Sequence, residues 1–240
     1  MSSSSNNNEA LGRRHTLELW ENLKELALKQ QGIDANFALD ETLVQGVLEH
    51  FLPSPCENLH TAYWLAHGEL AGELMALLAH KLGRNEALYR QVGRLHDADY
   101  YIHPHYGDSE GLVHPAPLCK YLLELKVPAV VCLAVLEHAG YTGNGSRFSS
   151  VLSAAVSTCD DLATYMSCLK STDFVRRHGH HVATSKLSAS AQVLVNETKT
   201  KVPVFPEEFA CPRRVLDDVD LFINRSLKIT ESGTVNMFDV

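Results

Sequence analysis

The chain has 240 residues, 45% of them hydrophobic and 21% charged, with a formal net charge of −8. That is enough apolar material for one sizeable core. The acidic balance argues against sequence-independent binding to nucleic acid or to an anionic membrane, which needs clustered Lys and Arg, but it leaves room for a small phosphorylated substrate whose charge a metal offsets.

Residues 1–12 are polar and of low complexity and read as a disordered tail. A helix is predicted from Thr16 as N-cap, with Leu19, Trp20, Leu23, Leu26 and Ala27 as its apolar stripe and Gly32 as its stop. A second runs from about Asp40 to His50, before Pro53 and Pro55; together these N-terminal helices occupy 13–55. Asn58 is placed to cap a long helix in which Leu59, Tyr63, Ala66, Leu70, Leu74 and Leu78 recur at spacings of three and four, ended by Gly83. Asn85-Glu86 begins another, with Leu88, Val92 and Leu95 inward, closing near His96-Asp97. Residues 100–113, rich in Tyr, His, Pro and Gly, are a loop. Pro115 and Pro117 open the next helix, and Pro128 the one after, which stops at His138. After a glycine-rich loop, a long helix carries Phe148, Val151, Leu152, Ala155, Cys159, Leu162, Met166 and Leu169. Beyond residue 170 the pattern weakens. The Val- and Thr-rich runs within 185–205 read as short strands or extended loop, and a last helix is expected between Val215 and Ile223. The fold class is therefore all-α: a helical core over 56–170 with a C-terminal extension, 171–240, packing on it.

Of six cysteines none forms a CxxC pair, and Cys119, Cys132 and Cys159 fall in apolar helical stretches as small core residues. This usage suits a reducing compartment. The polar N-terminus has no signal-like apolar segment, and no apolar run is long enough to span a bilayer. The expectation is a cytoplasmic protein with no membrane and no nucleic-acid partner; nothing in the sequence sets its oligomeric state.

Chemistry concentrates in one ordered set: His60, His96-Asp97, His114, His138 and Asp160. Each lies on or beside a helix, so rigid scaffolding can aim the side chains at one point, as a metal site requires. Asp97 follows Leu95 in a buried-looking step, and an unpaired carboxylate is costly to bury, which favours a cation partner. Asp160 competes with its neighbour. Its helical neighbours Val156 and Ala163 lean it toward the apolar stripe, whereas those of Asp161 lean it toward the polar side. Asp160 is the better ligand, and Asp161 is a candidate for orienting an imidazole. His67 and His80 read as ordinary core or boundary histidines, His15 and His50 as surface ones.

The ordered set resembles the HD-domain superfamily of metal-dependent phosphohydrolases, all-helical proteins named for the His–Asp step. The shared order His, His-Asp, Asp falls on His60, His96-Asp97 and Asp160, and the two further histidines of binuclear members fall on His114 and His138. The resemblance covers roughly residues 57–170. The layout is similar to the short binuclear branch that includes bacterial symmetrical diadenosine-tetraphosphate hydrolases, except that Tyr100 stands where that branch has a Lys three residues after the motif Asp. The resemblance implies a hydrolase of nucleotides or other small phosphate esters. In it Asp97 and His96 are catalytic, Asp97 bridges two metals, His60, His96 and Asp160 complete one shell, and His114 and His138 hold the second ion. One or two divalent ions (Mn, Fe, Co, Ni, Mg or Zn) suit such imidazole and carboxylate ligands. Lys120, His103 and His105 are the candidates for contacting substrate, with a solvated outer-face position as the alternative for Lys120. The same ligand order also occurs in HD-type di-iron oxygenases, and a non-catalytic module that binds metal or nucleotide is the third reading.

Overall fold

A computed structural model of the chain describes residues 3–30, 37–52, 59–100, 114–139, 148–171, 186–205 and 219–233. The architecture is all-α, with no strand among the described residues. In chain order the helices are α1 (Ser3–Gln30), α2 (Glu41–Phe51), α3 (Leu59–Leu82), α4 (Glu86–Leu95), α5 (Ala116–Glu124), α6 (Ala129–His138), α7 (Val151–Lys170), α8 (Ala189–Glu197) and α9 (Arg225–Ser232), the last entered through a π-helical turn at Asp220–Asn224.

The centre is α6. Every residue from Ala129 to His138 is buried, as a helix that is apolar all round must be. It packs against α1, α5 and α7, while α3 packs against α4 and α7. Capping fixes where several helices begin. Asp40 accepts from the Leu43 N–H at 2.8 Å, Asn85 from the Leu88 N–H at 3.1 Å, and Ser150 from the Ser153 N–H at 3.0 Å. Gly83, at φ 65°, ends α3 in the left-handed conformation open to glycine, and the Arg84 N–H returns to the Ala79 carbonyl at 2.8 Å.

Helices α3 and α4 run antiparallel at a glycine-lined crossing. A Cβ at Gly72 would lie 2.7 Å from the Arg90 carbonyl oxygen, one at Gly68 the same distance from the Arg94 carbonyl oxygen, and one at Gly93 2.8 Å from the Gly72 Cα. Only the missing side chains permit this approach. Arg94 locks the crossing from outside, its guanidinium donating to Glu69 on α3 and Glu41 on α2, each at 2.6 Å.

The ends of the chain differ from the sequence reading. Helix α1 begins at Ser3, inside the expected tail, and Thr16 is an interior residue whose hydroxyl donates to the Gly12 carbonyl at 2.9 Å. The polar stretch lacks periodicity but also lacks a proline to stop a helix. Part of 185–205 is helix α8 rather than strand. Ser188 caps it, and its buried Ala191 and Leu194 dock toward α3, a tertiary contact that outweighs the β-propensity of its valines. The helix expected at Val215–Ile223 lies partly outside the described residues; its described part is the π-helical turn that runs on into α9, which packs on α7 and ends at Gly233, φ 63°. Cys119, Cys132 and Cys159 are buried free thiols. Cys168 is disulfide-bonded, an exception to the usage that had read as suiting a reducing compartment. Among the described residues no helix is long and apolar enough to cross a membrane.

Candidate metal centre

Five helices, or the turns beside them, bring side chains together around Asp97. The turn after α4 supplies His96 and Asp97, the middle of α3 supplies His67, the lead into α5 supplies His114, the last residue of α6 is His138, and the middle of α7 supplies Asp160. Two groups of potential ligand atoms result: His67, His96, Asp97 and Asp160; and Asp97, His114 and His138. Asp97 belongs to both, one oxygen to each. Its Oδ2 lies 3.4 Å from His67 Nε2 and 3.3 Å from His96 Nε2. Its Oδ1 lies 3.0 Å from His114 Nε2 and 3.3 Å from His138 Nε2. Asp160 Oδ1 completes the first group at 3.2 Å from His67 Nε2 and 3.5 Å from His96 Nε2.

The far side of each ring sets what the near side presents. His96 Nδ1 faces the Gly93 carbonyl at 2.7 Å, and His138 Nδ1 faces the Val135 carbonyl. A carbonyl only accepts, so both Nδ1 atoms carry the proton and both Nε2 atoms, in the neutral rings, turn lone pairs inward. The lone pair of His138 then points at His114 Nε2, 3.1 Å away, and at the Asp97 carboxylate. His96 Nε2 is buried without a hydrogen-bond partner. Such a surplus of acceptors is stable only around positive charge.

In the metal-free protein, protons supply part of that charge. Burial alone pushes the His96 and His114 imidazoles down, but the carboxylates outweigh it. Asp97 and Asp160 hold His96 well above its usual value, and Asp99 and Asp97 hold His114 up at about 9. Burial pushes the two cluster carboxylates up, yet the imidazoles win. Asp97 is held well below the usual carboxylate range by His96, His114 and His138, and Asp160 is held low by His67 and His96. His138 is shifted down, first by burial and then by the neighbouring imidazoles, which keeps it a neutral donor to a cation.

Spacing gives a direct test of fit to a metal. Donors about 2.1 Å from one ion sit roughly 3.0 Å apart on an octahedral edge and roughly 3.4 Å apart on a tetrahedral edge. Seven of the nine separations within the two groups run from 3.0 to 3.5 Å, and all lie within 4.8 Å. The residues present could hold divalent ions, through a donor set of imidazole and carboxylate with no thiolate among the described residues. Of the cluster side chains the carboxylates are the most open, Asp160 at 13% and Asp97 at 9%, against 2% or less for the histidines. Solvent that reaches the cluster reaches it there.

The sequence placed His96, Asp97, His114, His138 and Asp160 in one site, and the structure brings all five together. It also separates Asp160 from Asp161, which is buried on α7 outside both groups. Among the described residues the potential ligand from α3 is His67, which the sequence reading had put among ordinary core histidines. His60 lies seven residues earlier on the same helix, and its side chain is outside those described. The signal for His67 is the glycine register. Gly72 lies against Arg90 and Gly68 against Arg94, so one step back along α3 matches one step forward along α4, and the residue level with His96 is near 67. Sequence reasoning also missed two buried carboxylates. Asp99 accepts from His114 Nδ1 at 2.6 Å. Glu137, beside His138, accepts from Trp20 Nε1 at 2.8 Å and from the Ser149 N–H at 2.9 Å, with the Ser149 hydroxyl as a third donor. It thereby fastens the end of α6 to α1 and to the lead into α7. Lys120 is exposed on α5, the solvated position given as its alternative. His103 and His105 lie outside the described residues. Half-buried Trp64 and Tyr100 stand beside the cluster, their ring centroids 4.4 Å apart, with Trp64 at 5.6 Å from His67 and Tyr100 at 5.1 Å from His114.

The chain matches no protein-family model, no curated protein and no solved structure.

Proposed function

We propose that this protein is a binuclear metal-dependent phosphohydrolase of the HD type, acting on a nucleotide or another small phosphate ester. One observation carries the reading: a single carboxylate, Asp97, turns one oxygen to His67 and His96 and the other to His114 and His138. The ligand order along the chain (a helix histidine, the His96-Asp97 step, two further histidines and a late aspartate) supports it, with His67 standing where the resemblance implied His60.

Divalent ions bound in such a pair of groups lower the pKa of water toward neutrality and offset phosphoryl charge. The residues do the rest. Asp97, held ionised by three imidazoles, keeps both halves of the site at a fixed separation and does not serve as a proton donor. The backbone carbonyls of Gly93 and Val135 fix the tautomers of His96 and His138, so neither ring has to reorganise when charge develops. The opening on the Asp160 side is where an anionic ester would approach.

The test is metal analysis of the purified protein, followed by phosphate release from nucleotides and sugar phosphates with Mn²⁺ or Co²⁺ added. Hydrolysis that falls to background in Asp97→Ala supports the reading. Bound iron with O₂-dependent turnover and no phosphate release would replace it with the oxygenase, and bound metal with no turnover at all would leave a binding module.

A further inference from the structure

Of the four imidazoles around Asp97, His114 alone among the described residues has a carboxylate behind it. His96 and His138 are backed by backbone carbonyls, and His67 Nδ1 is buried without a partner. The carboxylate is Asp99, fully buried, whose Oδ1 lies 2.6 Å from His114 Nδ1. Asp97 and Asp99 come from one tight turn, closed by the Ala98 N–H to the Leu95 carbonyl at 2.8 Å and the Tyr100 N–H to the Asp97 carbonyl at 3.1 Å. The turn therefore grips His114 at both ring nitrogens, Asp97 at Nε2 and Asp99 at Nδ1.

The second oxygen of Asp99 has its own task. Helix α5 starts at Ala116 behind Pro115, which has no side-chain acceptor to cap it. Asp99 Oδ2 accepts the Leu118 N–H at 3.1 Å, one of the donors left over at a helix start. With both oxygens engaged, Asp99 cannot rotate away from His114, and the first turn of α5 is held in register with the imidazole.

We infer that Asp99 is the positioning residue of the His114–His138 half of the site, fixing His114 as the Nδ1–H tautomer and setting the affinity of that half for its ion independently of the His67–His96–Asp160 half. This rests on the binuclear metal reading, though not on hydrolysis. A carboxylate behind an imidazole raises its basicity as a ligand, and losing such a partner weakens metal binding by roughly 10–100-fold. The two halves then differ in kind. One has two carboxylates and two imidazoles. The other has a shared carboxylate and two imidazoles, one of them tuned by Asp99.

The experiment is calorimetric titration of the metal-stripped full chain with Co²⁺, in the wild type and in Asp99→Asn, with the cobalt absorption bands recorded at each addition. The expected result is two equivalents in the wild type, and in Asp99→Asn an unchanged first equivalent with a second weakened by roughly 10–100-fold. The unchanged first equivalent also reports an intact fold. Two equivalents with wild-type affinities in the variant overturn the inference, as does a wild type that takes up only one. Two tight equivalents without phosphate release would instead sink the hydrolase and leave Asp99 in its role. Should Asp99→Asn not fold, NMR of the Zn²⁺-loaded wild type with ¹⁵N-labelled histidine decides. A strongly deshielded, slowly exchanging Nδ1 proton that is lost in His114→Gln supports the role, and its absence overturns it.

Discussion

A histidine in a buried cluster is defined by two nitrogens. The inward one holds a cation, and the outward one decides whether it can. His67 is the plainest case, because its outward Nδ1 is buried without a hydrogen-bond partner while its Nε2 faces Asp97 and Asp160. His67→Ala removes one of four donor side chains from the first group and leaves the His114–His138 group untouched. The expected outcome is loss of one ion per chain, with the other retained, read by elemental analysis after dialysis against low metal. His80→Ala is the control, since His80 sits on the same helix, exposed and paired with Glu86 at 2.8 Å, and metal content should not change. Equal metal content in His67→Ala and the wild type would remove His67 from the site. At this scale the sequence was informative wherever a residue sat next to a helix boundary. His114 and His138 flank helix ends marked by Pro115 and Gly140, and His96 stands out through the His96-Asp97 step. It was silent on His67, whose helical face looks like that of any core residue.

At the scale of helices, the register that single-helix periodicity does not encode is set by the α3–α4 crossing. Gly68, Gly72 and Gly93 let the backbones meet, and this brings the turn after α4 down to His67. Gly93→Ala puts a methyl group 2.8 Å from the Gly72 backbone, and overpacking of this kind costs about 1–3 kcal/mol. Gly46 in α2 offers the contrast, because a Cβ there meets nothing within 4 Å. Gly46→Ala should gain up to about 1 kcal/mol from helix propensity alone. Thermal melts should therefore move in opposite directions, Gly93→Ala down and Gly46→Ala up, and only Gly93→Ala should weaken the first metal group. A Gly93→Ala protein as stable as the wild type would mean the crossing is looser than described. The same distinction explains which elements were readable. Helices α4 and α6 announce themselves through Asn85 and Pro128, and α7 through its apolar repeat, although it begins at Val151 behind Ser150 and not at Phe148. The start of α1 has no apolar period, and α8 is short and valine-bearing, helical because Ser188 caps it and α3 receives its Ala191 and Leu194. Contacts between elements are what a single strip of sequence leaves out.

Across the whole molecule, the cluster joins the middle of α3, the end of α4, the start of α5, the end of α6 and the middle of α7. An ion bound there is a ligand of the folded state only, so it stabilises the entire bundle. At a free concentration 100 times the dissociation constant, one ion adds about 2.7 kcal/mol, which for a chain of this size is a rise in Tm of roughly 5–11 °C. The size of the effect depends on pH, with a definite sign. In the metal-free protein His114 is held up at about 9 by Asp99 and Asp97 against the pull of burial, and His96 is also raised. These protons stabilise the metal-free fold fully below about 6.5, the usual histidine value, and that contribution is lost as pH rises through 9. Metal binding must displace the same protons, so affinity climbs over the same interval. The two trends add. The difference in Tm between metal-loaded and chelator-treated protein should widen steadily from pH 6.5 to 9, because the treated protein loses stability while the loaded one keeps it. On the acid side, Asp97 and Asp160 are held low by the imidazoles, so the metal-free fold keeps their contribution at neutral pH and loses it only as pH falls through those depressed values. Paired melts at fixed free Mn²⁺ across this range measure the gap. A gap that stays constant, or narrows toward pH 9, would show that protons and metal do not compete for these imidazoles, and that the ion binds somewhere other than around Asp97.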